Sequence, residues 1–344
     1  MPTPTPLAPF ARPTRRRALA LAAAGSLAAS LPSRGFAQAA SADAAGAFPQ
    51  RPVRIVVPYA PGAINDVLAR AMSERLQSLL GQSVVVENRA GGGAVIGTQA
   101  VASAPPDGYM LLQVPAAHAN NATLVAKLPY DPIRSFSFIT LAARAPLLVV
   151  TNENVPARNM QELVELARKR PGHYSYGSSG NGGAAHLAGE MLKQQAGVDL
   201  LHVPYKGASP AMTDLLGGRI HMTFATNTVA GPMIKAGRVK VLAVTSKKRW
   251  SGMPDVPTVA ESGFPNYESS GWWGYAAPAG TPPAVVARLN RAINDALDAP
   301  ALRKTLETEG IEAIGSTPEE FLAYVQSEIA IWGEVIRKGN IRLD

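Results

Sequence analysis

The chain has 344 residues, 47% of them apolar, with 33 Lys and Arg, 25 Asp and Glu and no Cys, which is enough for two domains and leaves no disulfide, thiol nucleophile or cysteine metal site. Its formal charge of +8 falls to +3 once five arginines of the first 39 residues (Arg12, Arg15, Arg16, Arg17 and Arg34) are set apart, since that stretch holds no acid. The remaining cations are scattered and lack interleaved aromatics, so no nucleic-acid partner is implied.

Taken in chain order, Arg15, Arg16 and Arg17 precede an Ala- and Leu-rich run over residues 18–31, and Ala37-Gln38-Ala39 has the small-x-small form of a cleavage site. Residues 1–39 therefore read as an export signal, cleaved near Ala39, whose apolar run is shorter than the ~20 residues a bilayer-spanning helix needs. The arginines fit both an ordinary charged leader and a twin-arginine one. Strands are predicted at 53–58, 84–87 and 110–114, separated by helices at 66–80 and 95–103. A second alternating set follows, with strands at 147–151, 174–177, 200–203, 221–225 and 239–245 and helices at 160–169, 184–195 and 211–216. After the Pro- and Gly-rich stretch 253–265 come an apolar segment at 272–278 and helices at 283–297, 301–309 and 318–338.

This order predicts an α/β protein of two lobes, each a mostly parallel sheet flanked by helices. The last helices lack strands of their own and should dock on the first lobe. That makes the first lobe discontinuous, 48–145 plus 271–344, with 146–270 as the second lobe. Two crossings make a hinge, and a hinge between α/β lobes makes a cleft.

Three strand-to-helix junctions are rich in Gly: VRIVVPYAPGAIND at 53–66, SVVVENRAGGGAVIG at 83–97 and YSYGSSGNGGAAH at 174–186. Each aims backbone N–H groups and a positive helix end at one spot, which suits an anion. Motifs for catalysis are weak by comparison. GNGGAA at 180–185 fits a dinucleotide fingerprint, but the acid expected at the end of the next strand is missing: Asp199 begins it and Tyr205-Lys206 ends it. GSSG at 177–180 is not a nucleophile elbow. None of the five histidines has a metal-binding spacing. His186, in the first turn after the SSGNGG loop, is placed to hold that loop from behind, and His118, just after a strand, to reach the cleft. Of Trp272 and Trp273, one is expected in the core. Lys247-Lys248-Arg249 reads as a solvated loop.

These segments together resemble the solute-binding receptors of tripartite tricarboxylate transporters, the Bug receptor family. The resemblance covers nearly all of residues 48–338. It is carried by VRIVVPYAPG with Asp66, VVVENRAGGG with Ile96-Gly97, PPDGY at 105–109, LPYDP at 128–132, SSGNGGAAHLAGE, HVPYKG followed by TDLLGG, LAVTS with Lys248-Arg249, and PDVPTVAESGFP, in that order. It implies a type II periplasmic-binding fold that closes on a small organic acid and delivers it to a membrane permease. It further implies a monomer with no cofactor, no metal and no catalytic residue. The expected ligand-binding residues are Tyr59, Ala63, Ile64, Asn65, Asp66, Gly93, Ala94, Ala117, His118, Ser178, Ser179, Asn181, His186, Tyr205, Lys206, Thr226 and Asn227. The sequence departs from the family where selectivity is set, because Ile64 stands where a Ser or Thr is common and Pro115-Ala116-Ala117-His118 replaces a loop usually rich in Gly, Ser and Thr. A lost hydroxyl donor costs a carboxylate about 1 kcal/mol. A more apolar or aromatic acid, or an amide, is therefore expected rather than a compact hydroxy-dicarboxylate. An exported sensor subunit serving a membrane kinase, and an enzyme on the same scaffold, are the alternative readings.

Overall fold

The computed structural model describes residues 48–342 except Ala63, Lys206 and Glu309, so the expected export signal lies outside the described residues. Three apolar runs, β1 (Val53–Val57), β2 (Val84–Asn88) and β3 (Met110–Pro115), pair in parallel with β1 in the middle. Helices α1 (Ile64–Leu80) and α2 (Val95–Ala102) make the connections. Leu68, Ala69, Met72, Leu76 and Leu80 give α1 one buried stripe at helical spacing, and each fully buried large side chain contributes ~1.5–3 kcal/mol. A third helix, α3 (Ala117–Leu124), follows β3 where the sequence reading has a loop, and it leads to β4 (Phe136–Pro146), a strand that reading misses.

The chain then enters a second sheet built from β5 (Leu148–Asn152), β6 (Ser175–Ser178), β7 (Leu201–Pro204), β8 (Met222–Ala225) and β9 (Val239–Val244). Its helices are α4 (Met160–Lys169), α5 (Ala184–Ala196), α6 (Ala208–Leu216) and α7 (Asn227–Lys235). The sequence reading misses α7 because Gly231 and Pro232 interrupt its pattern. The chain returns through β10 (Ser270–Pro278) to α8 (Pro283–Leu297), α9 (Pro300–Thr308), β11 (Glu312–Ala313) and α10 (Pro318–Lys338). A capping box between Thr317 and Glu320 fixes the start of α10.

Both sheets are mixed, where the sequence order suggested mostly parallel ones. The six-stranded sheet runs β11-β4-β10-β3-β1-β2 and the five-stranded sheet β7-β6-β8-β5-β9. The parallel parts are the βαβ units, β1 to β3 and β6 to β8; the antiparallel parts carry the crossings. Because β4 leaves the first sheet and β10 comes back to it, the two pair antiparallel, from Phe136 opposite Pro278 to Pro146 opposite Ser270. Trp272 and Trp273 alternate on β10, so both are buried, one in each face's core. The last helix belongs to both lobes. Phe321 and Val325 of α10 pack with Trp272 and Leu112, whereas Trp332, Val335 and Ile336 pack with Leu187 and Met191 of α5.

Candidate functional site

The turn after β1 is fastened by a carboxylate. Gly62, at φ 84°, donates its N–H to Asp66 Oδ2 at 3.0 Å, and Arg70 Nε donates to the same oxygen at 3.0 Å. Arg70 also reaches Asn88 Oδ1, and Asn88 Nδ2 donates to the Tyr59 carbonyl. The Arg70 guanidinium holds the Asp66 carboxyl down at about 2. Asp66 is thus charged and buried, with both these donors turned to its own loop, and it anchors the turn; presenting it to a ligand carboxylate would set like charges together. Ile64 is half-buried against the first lobe's core, and the Asn65 carbonyl accepts from Gln113 Nε2 at 3.0 Å. Tyr59 is half-buried near Tyr130, and burial pushes its phenol up to about 12. Ala63 lies outside the described residues.

In the second junction Gly91, Gly92, Gly93 and Ala94 all have positive φ, the last at 81° although it has a Cβ and is buried. Turns of this kind are where successive backbone N–H groups form anion-binding concavities. Gly97 makes the geometry possible, because a Cβ there would stand 2.7 Å from the Arg89 carbonyl oxygen and 2.8 Å from Pro58 Cβ. Asn121 Nδ2, from α3, closes the run by donating to the Gly93 carbonyl at 2.8 Å.

His118 is corrected from cleft to core. It is 1% exposed, stacks on Tyr130 and meets Phe136 edge-on. Its Nε2 lies 2.7 Å from the Pro132 carbonyl, an acceptor, which fixes the proton on Nε2. Burial pushes the ring down to about 4, so it is neutral at pH 7. Ala117, half-buried, starts the same helix. Its neighbours Asn120 and Asn121 are the residues the sequence reading misses: the AHANN run is a helix on the cleft side of the first lobe, and two adjacent buried amides were the available signal. Asn120 Nδ2 donates to the Gly182 carbonyl of the second lobe at 3.4 Å, while its Oδ1 is buried with no partner among the described residues.

On the second lobe the 178–183 loop turns through Gly180 (φ 132°) and Gly182 (φ 73°). Ser178 is buried with its hydroxyl committed to Gly180 and His202, whereas Ser179 and Asn181 are exposed on the loop. His186 Nδ1 accepts the Gly182 N–H at 2.9 Å, as the expected support from behind. Tyr205 N–H pairs with the Ser178 carbonyl, and its hydroxyl donates to Asp214 at 2.8 Å, so it stiffens this wall. Thr226 and Asn227 start α7; Asn227 meets Gly310 of the first lobe, where an added Cβ would stand 2.9 Å from Asn227 Cβ. Lys206 lies outside the described residues. The geometry therefore joins the Gly93 and Gly182 loops through the paired asparagines.

The family model for the tripartite tricarboxylate transporter family receptor matches residues 68–341. The chain belongs to this receptor family. It is 35% identical to the protein BugT of Bordetella pertussis over 311 residues, 90% of this chain and 94% of that one. Among solved structures it is similar to Rpa4515 of R. palustris with adipate, at 36% identity and a TM-score of 0.76 over 86% of this chain and all of that one. MatC from Rhodopseudomonas palustris with bound malate superposes with a TM-score of 0.72 at 30% identity, covering 84% and 100% of the two chains. The family is one of periplasmic solute-binding receptors, and the two-lobed α/β fold is theirs.

For the receptor, the chemistry of the site follows from what its loops offer. Asp66, Tyr205, Ser178 and His186 are spent on holding loops, the N–H groups of Gly62, Gly180 and Gly182 among them, so a ligand would meet the remaining N–H groups of the Gly-rich turns. Such groups receive a carboxylate without a fixed cation and without a proton to transfer. The Lys247-Lys248-Arg249 run is exposed, with Arg249 paired to Glu261, as a solvated loop would be. Among the described residues no helix is long and apolar enough to cross a membrane.

Proposed function

We propose that the receptor captures a small organic acid between its lobes in the periplasm and hands it to the permease of a tripartite tricarboxylate-type transporter. In this reading it acts as a monomer after cleavage near Ala39, with residues 48–145 and 271–344 as one jaw and 146–270 as the other. The observation that carries it is the meeting of two Gly-rich loops across the lobes, joined through Asn120 to Gly182 and Asn121 to Gly93. Adipate in one relative and malate in another support a carboxylate ligand.

Ile64 sets the ligand's character. It starts α1 at the mouth of the first junction, and an apolar side chain there favours a methylene chain or a ring over a hydroxyl-rich acid. The test is a thermal-shift series with adipate, benzoate, malate and citrate. A ligand at 100 times its dissociation constant adds ~2.7 kcal/mol of stability. Adipate or benzoate should raise the melting temperature more than malate or citrate, and Ile64→Ser should narrow the gap. If only malate and citrate stabilise the protein, the selectivity reading is wrong; if no acid does, the receptor reading is.

A further inference from the structure

The 178–183 loop is held from behind by two stacked histidines. His186, on α5, and His202, on β7, lie with ring centroids 3.8 Å apart and planes 5° apart. Each ring holds one end of the loop. His186 Nδ1 accepts the Gly182 N–H at 2.9 Å, so its proton sits on Nε2. At the other end Ser178 Oγ donates to the Gly180 carbonyl at 3.1 Å and accepts the Gly180 N–H at 3.2 Å. Its remaining lone pair faces His202 Nε2 at 2.6 Å, which makes that nitrogen the donor. Gly182, fixed through its N–H, is the residue whose carbonyl accepts from Asn120 of the other lobe.

We propose that His186 and His202 are a pair of positioning residues: while both are neutral they hold the two ends of the loop in the shape that meets Asn120, and a proton on His186 Nδ1 frees the Gly182 end and weakens ligand capture, whereas the His202 Nε2–H keeps its hold on Ser178 in either charge state. The role in capture rests on the functional reading above, while the hold on the loop does not. A proton on His186 Nδ1 would set an N–H against the Gly182 N–H, and a second proton would put two cations in face-to-face contact. The charged and titratable groups around the pair are few. Glu190 and Lys193, also on α5, pair with each other at 3.0 Å, and Tyr176 on β6 puts its hydroxyl 2.8 Å from Glu190 Oε1. Tyr267 donates to the Ala188 carbonyl, whereas β8 and α10 bring only apolar side chains such as Phe224, Trp332 and Val335 into this core. With the acid and the lysine answering one another, burial decides, and it favours the neutral rings.

The experiment follows amide exchange at Gly180 and Gly182 in the ligand-free protein, and adipate-induced thermal shifts, from about pH 7.5 down to about pH 5. Asn at position 186 places Oδ1 where Nδ1 accepts, and Gln at position 202 places Nε2 where the ring donates; neither takes up a proton in this range. In the wild-type protein the protection of Gly182 should fall about tenfold over this range and the adipate shift should shrink with it, while Gly180, bonded to Ser178, should keep its protection. The double variant His186→Asn, His202→Gln should show a flat profile in both, and His186→Phe should lose Gly182 protection at every pH. An unchanged pH profile in the double variant, or full Gly182 protection in His186→Phe, would overturn the proposal. Failure of adipate to bind at all would count against the receptor reading, while the exchange data would still decide the role of the histidines.

Discussion

Acid should weaken the fold through His118. The ring is 1% exposed, its Nδ1 has no partner among the described residues, and burial pushes its pKa from 6.5 down to about 4. The folded value lies below the unfolded one, so the unfolded chain takes up the proton first. Stability from this group is intact above about pH 6.5, declines as pH falls and is fully lost below about pH 4. A displacement from 6.5 to about 4, at ~1.36 kcal/mol per unit, sets an upper figure of about 3 kcal/mol, of which about 2.5 is lost by about pH 4.5. The comparison protein is His118→Phe, an aromatic replacement among Tyr130, Phe136 and Phe138. It gives up the bond to the Pro132 carbonyl, about 1 kcal/mol at every pH, and removes the proton site. Urea unfolding from about pH 7.5 to about pH 4.5 should therefore find the variant weaker at first, equal near about pH 6 and stronger below. Parallel stability curves for the two proteins would refute the reasoning, because the acid loss would then come from elsewhere.

Two further substitutions probe the loops. Asp66→Asn removes the charge that holds Gly62 and Arg70; with the carboxyl at about 2 against an ordinary 3.8, and Arg70 half in solvent, the loss is at most about 2 kcal/mol. It should lower both the melting temperature and the adipate shift, and an unaltered shift would mean the turn keeps its shape without the carboxylate. Gly97→Ala puts a methyl against the Arg89 carbonyl and Pro58, so α2 must back away from β1 at a cost of about 1–3 kcal/mol. Chemical denaturation measures it, and wild-type stability would show that the helix slides freely.

Much of this was legible in the chain. The Gly-rich junctions read directly as turns, since a run such as Gly91-Gly92-Gly93 has few uses other than left-handed backbone, and helices with a Pro start and a periodic stripe, such as α8 and α10, were found end to end. What stayed hidden is tertiary in origin. Strand β4 carries Arg144 and three alanines and takes its conformation from β10, which lies 140 residues away in the pairing of Ser137 with Ala277. His118 looked like a cleft residue because the residues beside it follow a strand; only the fold sets Tyr130 and Phe136 around it. Asp66, expected as a ligand contact, also anchors its loop through Arg70 one helical turn further on, a spacing open to reading in the sequence itself.

The hinge has a third connection, and it bears on how the lobes close. Besides β4 and β10, α10 joins them, with Phe321 in one core and Trp332 in the other. Glu328, midway along it, accepts from Trp272 Nε1 on the hinge strand at 2.8 Å and from Trp332 Nε1 at 2.9 Å, and burial pushes its carboxyl up. A helix packed at both ends and tied at its centre resists sliding, because well-packed cores shift between discrete arrangements instead of deforming gradually. These contacts would favour rotation between the lobes about the line shared by β4, β10 and α10 over sliding. Such a constraint would bring the Asn120 and Gly182 loops back to the same contact on closing, so that the proposed selectivity at Ile64 could change without the hinge changing.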